Sequence, residues 1–208
     1  MAVPQPGIFA QGTRSHYQLE LDVRPGVGSD EVVAALRGLR GPAVTAGGAN
    51  LVVALGADLA RRLALPGGVP DALTAFAAIE GLDGKAAPST QHDLWIWIHG
   101  TGEDVALDTA RQAQAALGDV AAVAVDQPCF VYKDSRDLTG FVDGTANPRV
   151  DEAPEVACVP DGEVGRVVPS CSPSGGSTTS RRSRPCRWRT RSGCSAVPRS
   201  TASSSTMT

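Results

Sequence analysis

The chain has 208 residues, a formal charge of -3, and 42% hydrophobic against 20% charged residues. That length supports one well-packed core and part of a second. It holds no apolar run near the ~20 residues that a membrane-spanning helix needs, so no membrane role is expected.

The near-neutral charge hides a split. Eight of the 19 basic residues are arginines within residues 166–208, whereas all 22 acidic residues precede that stretch. The stretch also lacks Leu, Ile, Phe and Tyr and is rich in Ser and Thr. Such a segment cannot bury enough apolar surface to offset its ordering entropy, and the sequence predicts a disordered tail. Its arginines (Arg181, Arg182, Arg184, Arg187, Arg189, Arg191) would attract phosphate, but Trp188 is its only aromatic residue, so no specific nucleic-acid function is expected. Met1 to Ala10 has no positive charge and carries Pro4 and Pro6, unlike a secretory leader. The five cysteines form no Cys-x-x-Cys pair, so free thiols in the cytoplasm are expected, with no metal site.

In chain order, Tyr17, Leu19, Leu21 and Val23 alternate with His16, Gln18, Glu20 and Asp22, which predicts a half-buried strand. Ser29 is the expected N-cap of a helix carrying Asp30 and Glu31 in its first turn and Val32, Val33, Leu36 and Leu39 on one face, ended by Gly41-Pro42. A buried strand is expected over 50–55 and a short helix over 57–65, stopped by Pro66-Gly67-Gly68. Residues 66–91 read as loop. A strong strand over 94–98 leads to an Ala-rich helix over 103–117 with Val105, Ala110, Ala113 and Leu117 inward. Strand material is expected next at 120–125 and 129–132. The order β-α-β, loop, β-α-β predicts an α+β, ferredoxin-like unit: an antiparallel sheet with helices on one face. Residues 1–130 are read as this domain, and 131–165 as the start of a second, incomplete ferredoxin-like domain.

The chemistry-bearing stretch is Gly140-Phe141-Val142-Asp143-Gly144-Thr145-Ala146-Asn147-Pro148. On its residue types alone it is a turn-rich loop, since Asp-Gly and Asn-Pro are turn dipeptides. It resembles the GxxDG signature of the dye-decolorising peroxidases, a family of haem enzymes. Other stretches resemble that family too: Gln5-Pro6-Gly7-Ile8, Gly12-Thr13-Arg14-Ser15-His16, Gln91-His92-Asp93-Leu94-Trp95, and Asp134-Ser135-Arg136-Asp137-Leu138-Thr139. The resemblance covers about residues 4–163. It implies two ferredoxin-like domains, haem b held mainly by the second, and oxidation of bulky organic substrates with hydrogen peroxide. It assigns Asp143 as the distal acid-base residue and places Gly144, Thr145, Ala146 and Asn147 on the loop against haem. A carboxylate there takes a proton from one peroxide oxygen and returns it to the other.

The family's proximal histidine and distal arginine lie beyond this motif, and neither has a counterpart here. The histidines present (His16, His92, His99) fall in or beside first-domain strands and read as ordinary surface or edge residues. The proximal ligand is therefore expected to be absent and the activity of these 208 residues impaired. Homo-oligomers and an encapsulating partner are compatible with the resemblance. The alternative function is a non-catalytic ferredoxin-like binding or oligomerisation module.

The tail departs from the family after Arg166-Val167-Val168-Pro169. GC-rich codons for Ser170 to Thr208, displaced by one nucleotide, give Val-Val-Leu-Ala-Gln-Arg-Trp-Val-His-Asp-Leu, a family-like text. The tail is therefore read as out of frame. Nucleotide sequencing across residues 160–175 is expected to show codons compatible with that displaced text; codons incompatible with it contradict the reading.

Overall fold

The computed structural model describes residues 4–5, 7–39, 41, 49–142 and 144–165. The expected tail of 166–208 and the Pro42 helix stop lie outside the described residues.

Among the described residues, six strands and four helices succeed one another: β1 (Ser15–Val23), α1 (Ser29–Gly38), β2 (Ala49–Leu55), α2 (Ala57–Arg62), β3 (Ile79–Glu80), β4 (Ala86–Ala87), β5 (Leu94–Gly100), α3 (Glu103–Leu117), β6 (Ala121–Phe130) and α4 (Ala153–Ala157). The main sheet has the order β2-β5-β1-β6, and every pairing is antiparallel. This is the expected α+β, ferredoxin-like architecture.

Alternation along β1 and β5 decides which side the helices cover. Tyr17, Leu19 and Leu21 on β1 and Leu94, Ile96 and Ile98 on β5 are buried on one face. They meet Val32 of α1, Leu59 of α2, and Ala106, Ala110, Ala113 and Leu117 of α3. Small side chains on α3 let its backbone approach the sheet. Thr109 is buried among them, and its hydroxyl donates to the Val105 carbonyl at 2.7 Å, which satisfies it without a partner outside the helix. Val105 itself is only half-buried. Ala110, Ala113 and Leu117 point inward as expected, and at the first turn Ala106 takes the place expected for Val105.

Two ties fix the sheet's margins. Tyr17 donates to Asp126 Oδ1 at 2.5 Å, and Gln114 of α3 donates to Asp126 Oδ2 at 2.8 Å. Burial, then the bond to Asp126, pushes the Tyr17 phenol up to about 12. On the opposite edge, the Gln5 amide donates to the Val53 carbonyl at 2.7 Å and accepts from the Val53 amide at 2.9 Å. A side chain thus occupies the hydrogen-bonding edge of β2, which would otherwise be open to another strand. Edge strand β6 is protected differently, by a register shift opposite Glu20 and Leu21 and by Pro128, which lacks an amide to offer.

Local corrections have local causes. Gly28, not Ser29, caps α1: Glu31 accepts from the Gly28 amide at 2.7 Å, and the Ser29 hydroxyl instead reaches the Arg62 carbonyl at 3.3 Å. Helix α2 ends at Arg62, three residues short of the expectation, as Ala64 turns to a φ of 47°. Within the expected 66–91 loop, β3 and β4 form a small hairpin around Asp83, whose φ is 59°. The two expected pieces of strand after α3 are one strand, β6, because an edge position tolerates Pro128.

Truncating Ile96 to Ala removes a fully buried side chain from the centre of the sheet. The expected loss is about 2–5 kcal/mol in a urea unfolding measurement; a loss below about 1 kcal/mol would show that the helices do not pack there.

Candidate functional site

The 140–148 motif begins on a loop that holds itself in shape. Asp134 and Ser135 both take positive φ, 54° and 62°, a conformation uncommon for side chains of this kind. The turn is closed by the Arg136 amide, which donates to the carbonyls of Tyr132 and Lys133, both at 3.1 Å. Asp137 then organises the residues after it. Its Oδ1 accepts from the Thr139 amide at 2.9 Å, the Thr139 hydroxyl at 2.7 Å and the Phe141 amide at 3.0 Å. The Arg136 guanidinium donates to the Gly140 carbonyl at 2.8 Å, and Arg136 also bridges to Val142. The Thr139 hydroxyl, followed by the backbone donors, holds the Asp137 carboxyl below its ordinary value.

Asp143, the expected acid-base residue, lies outside the described residues. Its flanks are described. Gly144 has a φ of 77°, where a side chain is strained, and a Cβ there would sit 3.0 Å from Asn147 Nδ2. The Asn147 amide donates to the Gly144 carbonyl at 3.1 Å, closing a turn over Gly144, Thr145, Ala146 and Asn147. All four are exposed, as are Phe141 (75%) and Val142 (47%). The structure brings the expected Gly144–Asn147 group together in one turn next to position 143.

The histidines differ from their expected roles. His99 is fully buried, not an edge residue. It stacks on Trp97 with ring centroids 4.0 Å apart. Trp97 donates to His16 Nδ1 at 3.0 Å, which places the His16 proton on Nε2, facing the Thr13 carbonyl at 3.3 Å. His92 binds Asp22 through Nδ1 at 2.9 Å and lies 4.0 Å from Glu20 through Nε2. Sequence reading missed this arrangement. Its signal was the period-two row Trp95, Trp97, His99 on β5 opposite His16, since residues at that spacing share a face.

The profile of the Dyp-type peroxidase N-terminal domain matches residues 44–130. A dye-decolorizing peroxidase of Brevibacterium linens is 38% identical over 113 residues, covering 54% of this chain and 30% of that protein. One from Mycobacterium tuberculosis is 36% identical over 99 residues, covering 48% and 29%. Among solved structures, a dyp-type peroxidase protein from Shewanella oneidensis superposes with a TM-score of 0.65 at 26% identity, covering 74% of this chain and 52% of that one. A DypB variant from Rhodococcus jostii, solved in complex with heme, gives 0.64 at 30% identity, covering 74% and 51%. Residues 44–130 carry the likeness to the N-terminal domain of Dyp-type peroxidases. The chain's match spans about a third or less of these curated relatives and about half of each solved chain.

None of the described histidines offers an open, accessible ring nitrogen. Haem iron needs an axial donor. His16 has both ring nitrogens engaged, His92 is held between two carboxylates, and the remaining nitrogen, His99 Nε2, is buried within the fold. Among the described residues no group of three His, Cys, Asp or Glu side chains is placed to hold a metal, and no helix is long and apolar enough to cross a membrane. Cys129 and Cys158 are not joined in a disulfide.

Thr139→Val removes the foremost cause of the lowered Asp137 pKa. An NMR titration of the Asp137 carboxyl should show its midpoint move upward; an unmoved midpoint would mean that the hydroxyl does not hold this loop.

Proposed function

We propose that this chain supplies the first domain and the acid-bearing loop of a peroxidase that oxidises bulky organic reductants with hydrogen peroxide. The observation that carries the reading is the self-bonded loop ending beside position 143, directly after a domain matched to the Dyp-type family. Asp137 fixes Thr139 and Phe141, and Gly144 with Asn147 fixes the exit, so the flanks of Asp143 are set before any ligand arrives. Asp143 is the group that moves the peroxide proton, a role worth roughly 100-fold to 10,000-fold in rate for a positioned acid-base residue.

Haem b, the family's cofactor, supplies the oxidising centre, but its proximal ligand is not among these residues. The 208-residue chain by itself therefore has little or no peroxidase turnover. The first domain spans 1–130 in this reading, and 131–165 opens the haem-binding domain.

A second reading, a binding or oligomerisation module, is supported by apolar exposure downstream of the sheet. Leu138 (51%), Phe141 (75%) and Val150 (52%) are exposed, and apolar side chains left in water offer a place for another surface.

Haem titration of the 208-residue chain should give no stoichiometric, histidine-ligated complex by its Soret band; such a complex would contradict the impaired reading. The same chain continued in the displaced frame should bind haem and turn over a dye with peroxide, and Asp143→Asn should lower that turnover about 100-fold or more. A soluble, frame-continued protein that ignores haem and peroxide would remove the peroxidase assignment and leave the binding module.

A further inference from the structure

The two N-terminal motifs, Gln5-Pro6-Gly7-Ile8 and Gly12-Thr13-Arg14-Ser15-His16, have no part in the loop around Asp143. The structure uses them together. Residues 7–14 form a strap across one end of the sheet. Its near end is anchored by Gln5 on Val53. Gly7 presses on the side chain of Asn50: a Cβ built there would lie 2.3 Å from Asn50 Cβ, and its φ of 90° suits glycine alone. The Ala10 amide closes a turn onto the Gly7 carbonyl at 2.9 Å. At the far end the Arg14 amide donates to the Gly100 carbonyl at 2.8 Å, and the Val131 amide donates to the Arg14 carbonyl at 3.0 Å.

Beneath the strap lies the imidazole pair. Thr13 Oγ1 stands 3.3 Å from His99 Nδ1 and 3.5 Å from His16 Nε2, so one strap hydroxyl touches both rings. The ring centroids of His16 and His99 are 5.6 Å apart, and both stack with Trp97. His99 Nε2 is buried without a hydrogen-bond partner. A neutral imidazole tolerates this, whereas a charged one would be buried beside a second imidazole with only the Gly7 backbone in its favour.

We propose that residues 7–14 are an acid-released latch, seated on the neutral His16–Trp97–His99 stack and opened when those imidazoles take up protons. No carboxylate among the groups around the stack counters the charge. His99 has His16 across from it on β1, Asn50 beside it on β2, Trp97 on β5, and Gly7 and Thr13 on the strap; Cys129 of β6 pairs with His16. Of these, His16 and Cys129 titrate, and neither offers a carboxylate. Arg14 is exposed and adds a positive charge to the strap. The carboxylates of this face, Glu20 and Asp22, lie further along β1 with His92.

The direction of the titration agrees. Burial, then the His16 charge, lowers His99 to about 4, against a smaller opposing pull from the Gly7 backbone. Burial lowers His16 as well. A histidine whose pKa is lower in the closed state leaves closure unaffected above about pH 6.5. As pH falls below that, the open state binds the proton first, so closure weakens until the closed-state value near 4 is reached. One such proton changes the open-to-closed ratio by up to about tenfold per pH unit.

Native-state hydrogen exchange of the full chain tests this, after correction for the intrinsic pH dependence of exchange. The Arg14 and Ala10 amides should open up to about tenfold more per unit of pH between about 6.5 and about 4, while Leu19 and Ile96 stay protected. His99→Gln, which cannot charge, should flatten the response. Should that variant fail to fold, Thr13→Val serves instead: it should loosen the strap at neutral pH while keeping the acid response. The latch is overturned if Arg14 exchanges together with Ile96 at every pH, if strap opening is independent of pH, or if folded His99→Gln keeps the full acid response.

Discussion

The structure depends on the two-sidedness of β1 and β5. With a side-chain period of two, each strand sends one row to the helices and the other to the opposite face. The inward row, Tyr17 to Leu21 and Leu94 to Ile98, is buried and forms the core. The outward row cannot then be apolar throughout, and here it carries Trp95, Trp97, His99, His16 and the Glu20–Asp22–His92 group. A slip of one residue between these strands would bury the imidazoles under α3 and expose the leucines. Register, held by seven aligned pairs between β1 and β5, thus settles both the core and the chemistry of the other face.

Beyond Phe130 the forces change character. The loop from Lys133 to Asn147 is shaped by hydrogen bonds among neighbours in sequence, with Asp137 as its organiser, and little of it is buried. Such a loop can hold a geometry without a core under it, but local bonds exposed to water contribute little stability each.

Much of the fold was legible because its signals were periodic. Alternation gave β1, and the Ala-rich stretch gave α3 with its limits at Glu103 and Leu117. What escaped depended on tertiary partners. Ser29 is a good N-cap residue, yet the chain reaches Arg62 with that hydroxyl and lets Glu31 cap from inside the helix. The two strand pieces expected at 120–125 and 129–132 run together as β6, because an edge position accommodates Pro128. The hairpin of β3 and β4 is two residues per strand, too short for any pattern to show. At the site, the turn residues Gly144 to Asn147 were legible from dipeptide chemistry. His99 was not: a histidine at a strand end reads as exposed until the strap that covers it is placed.

The sheet of β1, β2, β5 and β6 precedes a locally ordered, exposed loop, and hydrogen exchange across the whole chain at neutral pH decides whether the two differ in stability. Slow exchange is expected for the paired amides of β1, β5 and the adjoining half of β6, with fast exchange through residues 138–163. Protection in 138–163 equal to that of β5 would contradict that difference, because that segment would then be packed as firmly as the sheet.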